Sequence, residues 1–357
     1  MPDQNFSFIK TFWKKLRRNK GAVFGLCIII LALFIALFAY VLAPDNTPDA
    51  NRIIVEIAAK KPGYQQQFFK LKKENSNSER NYFSGKEDTY QYIPITSYRA
   101  FSDSIEVNKY VDDGITEKMM FSLNGRDYHD AVETKTFWLG TDKFGRDILS
   151  RLIIGTRVSL GVGFIAVLIS LTAGIFLGAI AGFFRGKTDD VVMWFVNVVW
   201  SIPTLLLVFA ITLALGKGYW QVFIAVGLTL WVNVARLVRG QVLSIRELNY
   251  IEATKAMGFS STRTIIRHIL PNIMGPVLVI AASNFASAIV IEAGLSFLGL
   301  GVQPPQPSWG LMIKENYNFI ITNNPMLAIA PGIAIMLLVL AFNLLGNGLR
   351  DVLDVRS

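Results

Sequence analysis

From Gly21 to Ala43 the chain reads GAVFGLCIIILALFIALFAYVLA, 23 residues without a charged side chain. Wound as a helix, that run is about 34 Å long against a hydrocarbon core of about 30 Å, so it is of spanning length. A cleaved signal peptide is the alternative, because KTFWKKLRRNK supplies a basic start and Val41-Leu42-Ala43 resembles a cleavage site. A signal peptide's apolar stretch runs only about 7 to 15 residues, however, and the helix is expected to stay attached. Further runs of the same kind are Val158 to Phe184, Val191 to Leu215, Tyr219 to Ala235, Ile273 to Leu300, with one Glu inside, and Pro325 to Leu349. The sequence therefore predicts an all-α membrane protein with six transmembrane helices, in keeping with 52% hydrophobic and 17% charged residues.

Pro44 to Arg157 breaks the pattern with 17 Lys/Arg and 17 Asp/Glu, including LKKENSNSER, and belongs in water. The net charge of +9 is not spread evenly. With the N-terminus inside, the inner segments 1–20, 185–190, 236–271 and 347–357 carry 16 Lys/Arg, and the short outer loops only Lys217 and Lys314. That asymmetry is a topology signal with some attraction to anionic lipid, which argues against nucleic acid as a partner. An even number of spans puts both termini in the cytoplasm. The expected division is a basic N-terminus at 1–20, a first helix at 21–43, an extracytoplasmic insert at 44–135, a Gly-punctuated lead-in at 136–157, a core of helices at 158–349 and a cytoplasmic C-terminus at 350–357. Within the insert, IIVEI and YQYIPI are candidates for short strands over a small core.

Several chemistries are excluded. Cys27 is the only cysteine, so no intrachain disulfide or cysteine metal site forms. His129 and His268 fall on opposite predicted sides of the membrane and cannot share a metal or a catalytic pair. The text Gly182-Phe-Phe-Arg-Gly186-Lys187-Thr188 is one residue short of a phosphate-binding loop and joins two spans instead of a strand and a helix. Gly299 and Gly301 form an incomplete dinucleotide fingerprint after a membrane span. No internal repeat stands out. An ion-coupled secondary transporter or channel is the rival from another class, but such carriers place several acids or broken helices at mid-membrane, and Glu292 is the whole inventory here.

Glu292 lies in the outer third of the fifth span, as a pathway-lining residue or as a hydrogen-bonding partner for a neighbouring helix beside Gly294. In the second span Gly174, Gly178 and Gly182 recur every four residues, a stripe suited to close helix packing, although glycine is also simply common in membrane helices. Gly21 and Gly25 repeat the spacing once.

The inner stretch RGQVLSIRELNYIEATKAMGFSSTRTIIRHILPN is longer than a connection requires. It predicts two short helices. Glu247 to Met257 contains good helix formers, with Glu247 and Glu252 ahead of Lys255 in favour of the helix dipole. Gly258 suits the left-handed position past a helix end, and Ser260 or Ser261 caps a second helix that runs to Leu270 before Pro271.

Glu252-Ala253-Thr254, Gly258 and Leu270-Pro271 together resemble the EAA loop of binding-protein-dependent ABC transporter permeases, EAA-x3-G-x9-I-x-L-P. Thr254 stands where that pattern has Ala, and His268 where it has Ile. RHILPN, WLGTDKFGRDILSRLIIGTRVSLGVG, EAGLSFLGLGVQPPQPSWG and NLLGNGLRDVLD are similar to phrases of the second permease subunit in the dipeptide and oligopeptide branch. The resemblance covers the basic N-terminus with its span and residues 136–357. The insert is longer than the family leads one to expect, either as a docking surface for a binding protein or as tolerated decoration.

What the resemblance implies is a six-span permease of the type I ABC importer kind in the inner membrane. Its partners would be a homologous permease, two cytoplasmic ATPase subunits that carry ATP and Mg, and an extracytoplasmic substrate-binding protein. This chain itself would bind no cofactor or metal and catalyse nothing. Glu252, Ala253 and Gly258 would sit at the contact with an ATPase subunit, within a coupling loop that extends through Thr254, Leu270 and Pro271. Peptides are the implied substrate, with nickel or another peptide-like small molecule as the alternative.

Overall fold

The computed structural model describes residues 10, 13–73, 84–101, 104–122, 128–216, 218–321 and 324–353. Most of the basic stretch 1–20, the NSNSER run, Lys217, residues 354–357 and the Lys255 side chain lie outside what is described. Among the described residues five helices are long and apolar enough to cross a membrane: α1 (Lys20–Leu37), α2 (Ile148–Phe184), α5 (Tyr219–Arg246), α7 (Ser261–Leu298) and α9 (Met326–Leu353). A sixth span is completed only by a bent pair, α3 (Gly186–Ser201) and α4 (Thr204–Leu215), which meet at 94°. Helices suit such runs because backbone N–H and C=O groups find no water in a bilayer core and have to pair within the segment.

Two expectations change in detail. The third run is not one straight span. Pro203 has no N–H to give and disfavours helical backbone in the residue before it, so Ile202 is extended at φ −90°, ψ 129° and the helix breaks there. The inner stretch does form a short helix, α6 (Asn249–Ala256), but its second arm does not stop before Pro271. It continues into the fifth span as one 38-residue helix. Pro271 removes a hydrogen bond and crowds the carbonyl four residues earlier, and the helix absorbs this by widening over Ile265–Ile269, where the Leu270 N–H reaches back to the Ile265 carbonyl. The Asn272 side chain donates to the His268 carbonyl at 2.6 Å.

The chain divides into two compact units. The first comprises Met1–Leu33, Ser159–Gln303 and Ala334–Ser357. Here Gly174, Gly178 and Gly182 of α2 face α5 so closely that an added Cβ would lie 2.8, 2.5 and 2.8 Å from the carbonyl oxygens of Trp231, Ala235 and Arg239. No side chain larger than hydrogen fits at the three positions. Gly25 of α1 meets α9 in the same way, at 2.5 Å from the Ala341 carbonyl, whereas Gly21 has ordinary clearance. Ala179, Phe183, Val234, Val238, Val242, Ile269, Ile273 and Val277 form one buried cluster around this seam.

The second unit comprises Phe34–Val158 and Pro304–Ile333. The segment whose fold was open in sequence holds a five-stranded antiparallel sheet, β1 (Tyr64–Lys72), β2 (Tyr90–Ala100), β3 (Ser104–Asp112), β4 (Ile115–Ser122) and β5 (Val132–Phe137), in the order β4-β3-β2-β1-β5. YQYIPI lies in β2, but IIVEI forms no strand and its last three residues make a 3-10 turn. Successive side chains alternate faces, so Phe68 joins Ile54, Ile57, Tyr110 and Phe137 while Phe69 joins Ile93, Ile95, Ile105, Val107 and Ala131. Both cores are small. In the lead-in, Asp142 accepts hydrogen bonds from Arg146 Nε at 2.6 Å and from the backbone N–H groups of Phe144 and Arg146. Glu315, on α8 (Trp309–Asn316), accepts from Arg146 at 2.8 Å and from Arg151 at 3.4 Å.

Candidate functional site

The elbow between α5 and α7 gathers the residues singled out in the inner stretch. Its outer face carries Glu252, Ala253 and Gly258, all exposed. Its inner face is pinned at two points. Ile251 is fully buried in the cluster that packs α2 against α5 and α7. Thr254 is buried too, and its hydroxyl donates to the Ile251 carbonyl at 2.7 Å while lying 3.3 Å from the Thr264 hydroxyl on the other arm. The Thr254 position therefore faces inward and fastens the two arms, a role that an alanine has no atoms to fill.

The turn follows from its residues. Gly258 adopts φ +77°, a left-handed value that side chains disfavour, with open space where a Cβ would stand. Ser260 caps the second arm by accepting from the Arg263 N–H at 3.4 Å. Arg263 lies 4.0 Å over the Phe259 ring, which stacks on His268 at 5.8 Å. At the entry, Arg246 donates to the Phe183 carbonyl and Arg185 pairs with Glu247. The Arg185 hydrogen bond holds the Glu247 carboxyl below its usual range, so it is ionised at neutral pH. Leu270 is half-buried and Pro271 exposed on the widened part of α7.

Sequence reasoning passed over four exposed apolar side chains on this elbow. Leu248, Tyr250, Met257 and Ile266 are 46%, 44%, 63% and 60% exposed, on the same elbow as the exposed Glu252 and Gly258. The signal was available in their position, since four large apolar residues sit in a basic stretch between two spans. Exposed apolar surface of this kind marks a place where another surface is received. Among the described residues no group of three or more His, Cys, Asp or Glu side chains is placed to hold a metal ion.

The remaining candidates lie elsewhere in the same unit. The glycine stripe belongs to the α2–α5 seam. Glu292 is fully buried near the end of α7, accepting from the Ser296 hydroxyl at 2.6 Å, and Ser296 accepts in turn from the Val302 N–H at 3.1 Å. Glu292 thus helps shape the turn that ends α7 at Gly299, φ +84°. Gly294 is not required by packing there, because an added Cβ would meet Leu205 at an ordinary 3.7 Å.

Comparison with known proteins gives a consistent picture. Residues 174–357 match the family described as binding-protein-dependent transport system inner membrane component. Residues 7–62 match the N-terminal TM domain of oligopeptide transport permease C. The chain is 43% identical over 217 residues to the glutathione transport system permease protein GsiD of Pectobacterium atrosepticum, covering 61% of this chain and 72% of that one. It is 39% identical over 225 residues to the oligopeptide transport system permease protein OppC of Bacillus subtilis, covering 63% and 73%. Its similarity to the di/tripeptide transport system permease protein DppC of Pseudomonas aeruginosa is 33% over 346 residues, covering 97% of this chain and 91% of that one.

Proposed function

This chain belongs to the binding-protein-dependent transport system inner membrane components, and we propose that it is a membrane-spanning subunit of an ATP-driven importer of peptides. The peptide class rests on the glutathione, oligopeptide and di/tripeptide systems named for its relatives. In this reading the chain lies in the inner membrane with both termini in the cytoplasm, beside a homologous permease. Two cytoplasmic ATPase subunits bind ATP and Mg, and an extracytoplasmic binding protein delivers substrate. Residues 236–271 then form the cytoplasmic coupling loop, and residues 44–135 stand outside.

The observation that carries this reading is the elbow's exposed surface, where large apolar side chains are solvent-facing together with Glu252 and Gly258 on a turn that is internally fastened. A rigid knob held by Ile251 and the Thr254–Thr264 contact transmits a push into α5 and α7 without yielding first. Closure of two ATPase subunits would rock the helices between two packings, and nothing in this requires chemistry on the substrate.

The test uses the complex captured through a tag on this chain. Glu252→Ala removes the charged contact, and Gly258→Ala strains the turn by about 1 to 2 kcal/mol without creating an overlap. Both are expected to lower peptide import at least tenfold and to weaken co-purification of the ATPase subunits. Intact import and docking in both variants would overturn the assignment, as would ATP hydrolysis by the isolated chain.

A further inference from the structure

Four helices of the first unit, α4, α5, α7 and α9, leave between them a cleft with room for about 480 Å³. Among the described residues its polar lining consists of Thr204, Asn233, Ser287 and Asn343, one from each helix, and no ionisable side chain takes part. Leu205, Leu230, Val290 and Ile291 are among the apolar remainder.

Polar side chains in membrane helices need an explanation, because an amide facing lipid forgoes hydrogen bonds. Asn284 shows what a structural asparagine looks like in this bundle. It is buried on α7 and its amide lies 3.4 Å from both the Ser170 hydroxyl and the Leu230 carbonyl, so it ties α7 to α2 and α5. Asn233 and Asn343 are exposed instead. Among the described residues, none of the four cleft side chains hydrogen-bonds to another part of the chain. Four unengaged amide and hydroxyl groups from four helices, converging on one opening, are arranged for something that passes or lodges there.

We propose that this cleft is the chain's wall of the substrate path and that Asn233, Ser287, Asn343 and Thr204 hold a peptide by its main-chain amides. The proposal rests on the reading of this chain as a peptide permease. An amide side chain both donates and accepts, which matches the N–H and C=O of a peptide whatever its sequence. A lining without charge neither attracts nor repels acidic or basic side chains, so selection by charge is left to other parts of the system. The 94° break at Pro203 brings Thr204 to the cleft, which gives that bend a purpose beyond accommodating a proline.

The experiment uses the whole transporter, purified through this chain and reconstituted in proteoliposomes. Cys27 is first replaced by Ser, and single cysteines are then placed as Asn233→Cys, Ser287→Cys and Asn343→Cys. Ser287→Cys is nearly isosteric, which guards against a variant that fails to assemble. The probes are alanine oligopeptides of two to five residues and a small charged methanethiosulfonate. All three cysteines should react, and the imported oligopeptides should slow the reaction at least fivefold. Phe176→Cys, at an exposed position of α2, should show no such protection. Cysteines that never react would mean a dry contact with another subunit, and cysteines that react without protection would mean an aqueous surface the substrate does not touch. Either result overturns the proposal while wild-type import of the oligopeptides leaves the functional reading standing. Failure of the wild-type complex to import any of them would instead sink the functional reading itself.

Discussion

Along Gly174, Gly178 and Gly182 two helices meet backbone to backbone, whereas α8 is joined to the lead-in through Arg146, Arg151, Asp142 and Glu315. The first contact lies inside an uncharged run and the second just ahead of it. Lipid is as apolar as a leucine side chain, so burial gives helices there little reason to associate, and close approach has to supply the attraction through many small contacts. Where charges are available and can be shielded together, a compact cluster fixes geometry through directed hydrogen bonds. The two solutions fail differently. A seam of glycines fails by overlap, and a buried ion cluster fails by losing one partner.

The cluster is the more vulnerable of the two. Arg151 is 1% exposed and Asp142 fully buried, so Arg151→Met leaves Asp142 and the 10%-exposed Glu315 with Arg146 as their single guanidinium. Breaking such a pair costs about 3 to 5 kcal/mol, and replacing both partners costs much less. Hydrogen exchange of the α8 amides in the intact chain should rise steeply in Arg151→Met and recover most of the loss in Arg151→Met/Glu315→Met. Equal damage in both would show that packing, not charge, holds α8. The glycine seam comes next. Gly178→Val drives a methyl into the Ala235 carbonyl, an overpacking penalty of about 2 to 3 kcal/mol. It should appear as a lower midpoint of thermal unfolding in detergent with α8 exchange unchanged, and a matching rise in α8 exchange would dissolve the contrast.

Both regions bear on how far the sequence could be read. The glycine stripe was legible as a candidate for close packing because four-residue spacing puts three glycines on one face of a helix, and the spans because uncharged length is a simple signal. The broken third span was not, although WSIPT spells it out, since Pro203 sits amid residues apolar enough to pass for a straight helix. Apart from YQYIPI in β2 the sheet escaped, because β1 and β4 mix charges with apolar residues and its strands are paired through two small cores instead of one alternating face. At the elbow the turn chemistry of Gly258 and Ser260 was readable, but the end of the second arm was not. Pro271 is an ambiguous stop, and only the widened turn ahead of it lets the helix pass. Thr254 read as a departure from a pattern, and its tie to Thr264 became visible only when the two arms were brought side by side.

That tie allows a smaller test of the same contrast, since it is a directed bond inside the helical unit. Thr254→Ala leaves the Thr264 hydroxyl buried with its neighbour gone, at a cost of about 1 kcal/mol. The α6 amides should exchange about fivefold faster, and Thr254→Ala/Thr264→Val should recover part of the difference. If the single variant exchanges like the wild type, Ile251 alone anchors the elbow.

The smallest effect is expected at Lys135, where the sheet unit tolerates a charge it does not fully satisfy. Lys135 lies on β5 with its ammonium 3.8 Å over the Tyr92 ring, whose neighbour Arg52 stands 4.3 Å from the same ring. Burial, and then repulsion from Arg52, pull its pKa down to about 8. Between that value and the ordinary lysine range the unfolded chain holds a proton that the folded chain has released, so stability contributed by this group rises with pH from about 8 to 10.5. Below pH 8 the penalty is present in full. Half-buried tyrosines, among them Tyr64 and Tyr92, have raised pKa values and act in the opposite direction only above about pH 10, which leaves pH 8 to 9.5 as the clean window. Lys135→Met removes the charge and also its attraction to Tyr92, so the net gain near pH 7 should be on the order of 0.5 kcal/mol or less. The sharper measurement is the slope. Comparing β1 and β5 exchange in the two proteins at each pH cancels the intrinsic pH dependence of exchange, and the advantage of the variant should shrink as pH rises from 8 to 9.5. A constant difference across that window would mean that Lys135 keeps its proton there and that its surroundings satisfy the charge.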